Sequence, residues 1–245
     1  MYAAQRASTM AFAGNEMHTP GFGRTSFSDG KTEAIARLIR DRVQKPIRRL
    51  LVVGCGSGIE AAILSQELNT EVVGVDLGAT FDSAAARVVD LRHGDATSLE
   101  FENGDFDFVF SYHALEHIPN YRKALEEMKR VLSIGGAYCV GTPNRSRLVG
   151  YLGSKDATFG QKISWNFIDW SARARGKFRN EYGAHAGFSS GELRDELQKV
   201  FSRVEEITLP YYQQVYRRQV MLVNVLDGSG LGRFLFPSIY FMGNR

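Results

Sequence analysis

The chain has 245 residues, 44% of them hydrophobic and 23% charged, which suits one globular domain with a sizeable core. Its 30 Lys and Arg stand against 27 Asp and Glu, a net +3 that is too even to mark a polyanion-binding surface. Apolar runs such as 106–110 and 220–223 are far shorter than the roughly 20 residues of a spanning helix, and residues 1–14 lack the apolar core of a secretory signal. Cys55 and Cys139 lie in or beside apolar strand-like runs, so reduced buried thiols and a cytoplasmic location are expected.

Residues 1–27 read as a small-residue arm. Ile35, Leu38, Ile39 and Val43 then form one apolar stripe of a helix that Ser28 or Asp29 can cap. From Leu50 onward, short β-branched runs alternate with helical periods, the pattern of βαβ units feeding a doubly wound parallel sheet. Leu50 to Val53 is apolar at every position, as a strand covered on both faces should be. Gly54 to Gly58 turns the chain into a helix reaching about Leu68. A second strand, 71–75, ends at Asp76; a third, 88–92, leads into Gly94-Asp95-Ala96; a fourth, 106–110, leads into Ser111-Tyr112-His113.

Tyr121, Ala124, Leu125, Met128, Val131 and Leu132 recur at helical spacing, with Gly135-Gly136 as the expected stop and a fifth strand at 137–140. The next stretch carries Trp165, Phe167, Trp170, Arg173, Arg175, Lys177 and Arg179. It reads as a helical lid, with basic residues in solvent and aromatics in the core. A helix at 190–201, a strand at 204–209, a helix at 212–226 and a final strand at 238–242 complete the pattern. The division is thus one domain: arm and first helix (1–47), cofactor-binding core (48–145), lid insertion (146–189) and the rest of the sheet (190–245). Phe234, Phe236, Tyr240 and Phe241 finish the sheet, with a homodimer contact as the alternative.

Gly54-Cys55-Gly56-Ser57-Gly58, between an apolar strand and a helix, lets backbone approach a ligand and aims free helix amides at it. The dinucleotide fingerprint wants a sixth-position glycine where Ile59 stands, which weakens a nicotinamide reading. Asp76 at a strand's carboxyl edge can accept both hydroxyls of a ribose, and Asp95 can accept from an adenine amine beside the Ala96 amide. Three such strand ends on one edge make a pocket for an adenosine bearing a carboxylate chain.

The motifs 51–58, Gly74-Val75-Asp76, Gly94-Asp95-Ala96, 106–111, Ala114-Leu115-Glu116-His117 and 130–136 resemble, in order and spacing, those of class I S-adenosylmethionine-dependent methyltransferases of the type 11 kind. The resemblance covers about residues 48–145. It implies a Rossmann-like α/β three-layer sandwich, with a seven-stranded, mostly parallel sheet whose last strand is antiparallel and a helical lid after strand five. It also implies S-adenosylmethionine as cofactor, leaving as S-adenosylhomocysteine. Gly54, Cys55, Gly56 and Gly58 would hold its methionine moiety, Asp76 with Leu77 the ribose, Asp95 and Ala96 the adenine, and Ser111 with Tyr112 the floor near the sulfonium. One departure stands out: the family usually has an acid two places before the first glycine, and this chain has Val52.

A sulfonium is an activated leaving group, so transfer needs alignment and dryness, and a base only when the acceptor arrives protonated. His185 and His113 are the candidate bases, and His117 reads as structural. The Asn/Asp-Pro-Pro-aromatic pattern of exocyclic-amine methyltransferases is absent after strand four, which disfavours DNA; RNA at the basic, aromatic stretch is a weaker reading than a small molecule methylated on a hydroxyl oxygen. A catalytically degenerate binding module is the competing class, resting on Val52. With the histidines scattered and the cysteines solitary, no metal-ligand spacing is seen and metal-independent transfer is expected.

Overall fold

The computed structural model describes residues 27–151, 157–182 and 185–245, so most of the expected N-terminal arm and Gly183-Ala184 of the expected histidine loop lie outside the described residues. Helix α1 (Gly30–Arg42) starts at Asp29, whose carboxylate accepts from the Lys31 and Thr32 amides. The core then runs β1 (Arg49–Val53), α2 (Ile59–Leu68), β2 (Glu71–Asp76), β3 (Asp90–His93), β4 (Phe106–Tyr112), α3 (Tyr121–Val131) and β5 (Leu132–Pro143). After it come α4 (Phe159–Ala174), α5 (Ser190–Val200), β6 (Arg203–Glu206), α6 (Thr208–Val215), α7 (Val220–Gly228), α8 (Gly232–Leu235) and β7 (Ser238–Asn244).

The sheet has seven strands in the order β3-β2-β1-β4-β5-β7-β6, all parallel except β7, which runs antiparallel to both β5 and β6. Because side chains alternate along a strand, Leu50, Val52, Phe108, Phe110, Cys139 and Tyr240 face one layer with α1, α2 and α6. Leu51, Val53, Val109, Tyr138, Val140 and Phe241 face the other, with α3 and α5. Burial on both faces explains why β1 is apolar from Leu50 to Val53, and both cysteines are free and buried as expected. Of the four aromatics expected to finish the sheet, Tyr240 and Phe241 are buried in β7, whereas Phe234 lies in α8 and buried Phe236 caps that helix.

The third strand starts at Asp90 rather than Val88, and the fourth and last run two residues longer than expected; three further places depart by more than that. Gly135-Gly136 does not stop α3; the helix ends at Val131, and β5 starts at Leu132 and carries both glycines. The register jumps from Phe106↔Leu132 to Phe108↔Ala137, so the strand bulges there, with Gly135 at φ 74 supplying the left-handed turn. The strand expected at 204–209 stops at Glu206, because the Thr208 hydroxyl accepts from the Tyr240 amide and Pro210 sits in the first turn of α6, where a missing N–H costs nothing. The single helix expected at 212–226 is two, α6 and α7, joined by a 3-10 turn at Arg217–Gln219.

Helix α4 contradicts the aromatic-in-core reading. Phe167 is 69% and Trp170 47% exposed, and Trp165 is half-buried against Tyr151. What α4 buries is polar: Asn166, which bonds the Gly150 amide and carbonyl, and Asp169, which pairs with Arg147. Burying those two groups with partners dictates the helix's rotation, since buried polar groups left unpaired would cost more than exposed aromatics.

Candidate active site

The parallel strands end side by side: Val53 lies opposite Val75 and Ser111, Asp76 opposite His93, and Ser111 opposite Val140. Past Val53, Gly54, Gly56 and Gly58 take φ of 73, 54 and 88, a left-handed path that glycine follows without strain. The loop delivers the chain to α2, whose start has no side-chain cap among the described residues, so its first-turn amides can meet a ligand at the positive end of the helix. A side chain at Gly54 would overlap Ala114 Cβ, which is fixed to the backbone. Gly54→Ala is therefore expected to cost about 2 kcal/mol, from overlap and from the positive φ, read as a lower urea midpoint at unchanged slope.

Asp76 braces this loop. Its Oδ2 accepts from the Gly56 amide at 3.0 Å, and its Oδ1 accepts from Gly78 at 3.1 Å and Ala79 at 3.0 Å. Leu77 beside it is exposed. Asp95 is exposed too; its Oδ1 accepts from the Thr97 amide and hydroxyl, both at 2.8 Å, and these bonds hold its carboxyl below the usual range. Ala96 is half-buried next to it, and Phe81 stacks on His93 at 4.6 Å along the same edge. Ser111 is fully buried, and its hydroxyl has no partner among the described residues. Burial and a charge at Asp76 push the Cys55 thiol up to about 12, so it is inert.

Beyond Tyr112 a cavity of about 840 Å³ opens between the ends of β4, β5 and β7 and helices α6 and α7. Tyr211, Tyr212, Leu222, Leu226 and Phe236 give it an apolar, aromatic wall, and its charged or titratable lining groups other than tyrosines are Lys31, Arg147, His113 and His185. No carboxylate lines it among the described residues. Burial raises the Tyr112, Tyr211, Tyr212 and Tyr240 phenols, so they stay neutral.

His113 holds a left-handed φ of 52, its amide donating to Gly141 O and its Nε2 lying 3.0 Å from Ser238 Oγ. Its ring is open to the cavity yet surrounded by protein. That environment, and then Arg147, push it down to about 3, leaving it neutral and a weak base. His185 is exposed at the cavity wall and its carbonyl accepts from Arg147 at 2.9 Å.

Several groups escaped the sequence reading. Arg147 is buried, ties Asp169, Asn144 O and His185 O together, and lies over Phe178, so it anchors 146–189 to the core. Among the basic residues singled out, Arg173 is half-buried and donates to Arg147 O, while Arg175, Lys177 and Arg179 are exposed. Glu60, in the first turn of α2, is acted on by Asp29 and Lys31 and itself acts on Cys55, Tyr112 and Tyr211; burial pushes its carboxyl up to about 7. Only its place two residues after Gly58 could have flagged it. The histidines are not all scattered either: donor atoms of His117, His185 and Glu116 lie within 4.8 Å of one another, and burial pushes the Glu116 carboxyl up to about 7. Sequence spacing hid this, because His185 arrives from beyond α4.

A strand-edge, glycine-loop site on this sheet order is that of an α/β nucleoside-cofactor protein. Residues 51–140 match the model of the methyltransferase domain family. Over 133 residues the chain is 30% identical to a "Probable S-adenosylmethionine-dependent methyltransferase" of Mycolicibacterium smegmatis, covering 53% of this chain and 51% of that one. Over 108 residues it is 35% identical to a demethylmenaquinone methyltransferase of Staphylococcus aureus, covering 41% and 45%. The chain spans about half the length of these curated relatives. An S-adenosylmethionine-dependent methyltransferase of Thermotoga maritima superposes with a TM-score of 0.53 at 17% identity over 88% of both chains, a likeness of fold. The likeness to the methyltransferase domain family is thus carried by residues 51–140, and the fold is one shared with an S-adenosylmethionine-dependent methyltransferase.

Proposed function

We propose that the chain transfers a methyl group from S-adenosylmethionine to a hydroxyl oxygen of a largely apolar small molecule held in the 840 Å³ cavity. The cofactor, when bound, supplies a methyl group on a positively charged sulfur. The free first-turn amides of α2 take its carboxylate, Asp76 its ribose hydroxyls with Leu77 alongside, and Asp95 with the Ala96 amide its adenine. The loop of Gly54, Cys55, Gly56 and Gly58 fits that group because Gly54 and Gly58 let it pack tightly on Ala114 and Leu91, while a Cβ at Gly56 would meet nothing within 4 Å and leaves open space for a ligand. Tyr112, next to fully buried Ser111 in β4, floors the passage from cofactor to cavity, and Glu60 takes the amino group that the usual acid, replaced by buried Val52, would have held.

The observation that carries the acceptor class is the lining: aromatic and aliphatic walls with Lys31 and Arg147, and no carboxylate among the described residues. A cationic amine has no counter-charge there, whereas a neutral or acidic hydroxyl compound does not need one. His185 takes the acceptor proton, and His113, neutral and bonded to Ser238, aligns the hydroxyl. The described flanks of the expected lid insertion cover the acceptor, since Arg147, Val149, Tyr151 and His185 all border the cavity. With both cysteines free, we place the chain in the reducing cytoplasm.

The test is S-adenosylhomocysteine release across a panel of apolar phenols, hydroxy acids and amines. Turnover of hydroxyl compounds, reduced in kcat by His185→Ala with little change in cofactor KM, is the expected result; turnover confined to amines would overturn the acceptor class. A second reading, a cofactor-binding module without turnover, rests on Val52. Saturable cofactor binding with no turnover across the panel would favour it.

A further inference from the structure

Glu116 sits in the single 3-10 turn Leu115–His117 that follows β4, with its side chain 1% exposed. Neither of its carboxylate oxygens has a hydrogen-bond partner among the described residues. A buried carboxylate without partners is expensive, and native structures keep one where something else completes it. Two imidazoles face it. His117 Nε2 is 3.9 Å from Glu116 Oε1, and the His185 ring meets the His117 ring edge to face at 4.7 Å.

We propose that Glu116, His117 and His185 bind a divalent transition-metal ion of the zinc type. Two imidazole nitrogens and one carboxylate oxygen are a ligand set for such an ion rather than for magnesium or calcium, which prefer oxygen alone. Donor atoms within 4.8 Å of one another have to close by about 1–1.5 Å to sit at the roughly 2.0–2.2 Å bond lengths of zinc. Both histidines are exposed and can turn, while buried Glu116 is the fixed point. Three protein ligands leave a position open, and His185 lines the cavity, so the ion borders the acceptor.

What the ion does there rests on the methyl-transfer reading, although its binding does not. Coordination lowers the pKa of a bound hydroxyl, whose proton passes to water. The oxygen then forms its bond to the methyl carbon as the carbon–sulfur bond breaks, with that electron pair remaining on sulfur. In this form His185 holds the ion instead of taking the proton itself.

The experiment is calorimetric titration of tag-free, chelator-stripped full chain with zinc chloride, with cobalt(II) absorption as a second readout and S-adenosylhomocysteine titrated in parallel. One ion per chain is expected, with affinity falling at least about 100-fold in Glu116→Gln and in His185→Ala. Glu116→Gln removes a buried, unpaired charge, so its stripped form should melt no lower than wild type, which separates loss of a ligand from loss of fold. Absence of stoichiometric zinc binding by folded wild type, or equal binding by the variants, overturns the site. If zinc fails while S-adenosylhomocysteine binds, only the metal site falls; if zinc binds and S-adenosylhomocysteine does not, only the methyl-transfer role falls.

Discussion

Asp76→Ala is expected to weaken S-adenosylhomocysteine binding by about 1000-fold, measured by calorimetry. Each charge-assisted bond from a carboxylate to a ribose hydroxyl contributes roughly 1.5–3 kcal/mol, and losing two gives that factor. The same oxygens hold the amides of Gly56, Gly78 and Ala79 in the free chain, so the substitution also loosens the rim of the site before any ligand arrives. Asp76→Asn separates the two effects. An amide keeps one acceptor oxygen but presents a donor to backbone amides, so it should recover part of the melting temperature and little of the affinity. Near-wild-type binding by Asp76→Ala would remove the ribose assignment and with it the expected pose of the cofactor.

What was legible in the sequence is what depends on local pattern. Strands buried on both faces read as unbroken apolar runs, and the glycine loop, Asp76 and the Gly94-Asp95 turn fall at strand ends because parallel strands all finish on one edge. What was hidden depends on geometry across the chain. The start of β5 was masked by Gly135-Gly136, which punctuate a helix in most settings and here build a bulge inside a strand. Helix α4 carried aromatics at helical spacing, yet Arg147, itself buried, draws Asp169 inward and turns Phe167 and Trp170 out. The Glu116, His117 and His185 cluster needs a chain crossing from β4 to the loop before α5, which no local spacing records.

On the proposed reading Glu60 stands in for the usual acid from a neighbouring turn, and its titration makes that role measurable. Burial first, and then the charge at Asp29, hold its carboxyl at about 7 against an ordinary 4.5, with Lys31 opposing. Between those values the folded chain binds more protons than the unfolded one, so stability falls as pH rises through the window. The cost is absent below about 4.5 and complete above about 7. Discounted for the partly open side chain, it amounts to about 2 kcal/mol. Glu60→Gln, which mimics the protonated form, is therefore expected to melt about 5 °C above wild type at pH 8 and close to it at pH 5. Binding should move the opposite way. The ligand's ammonium favours ionised Glu60, so wild-type affinity for S-adenosylhomocysteine should rise about tenfold from pH 6 to pH 8, and the Glu60→Gln curve should be flat. A stabilised variant with undiminished affinity at pH 8 would leave Glu60 as a buried acid with no part in cofactor binding, and the consequence of Val52 would then fall on the affinity itself.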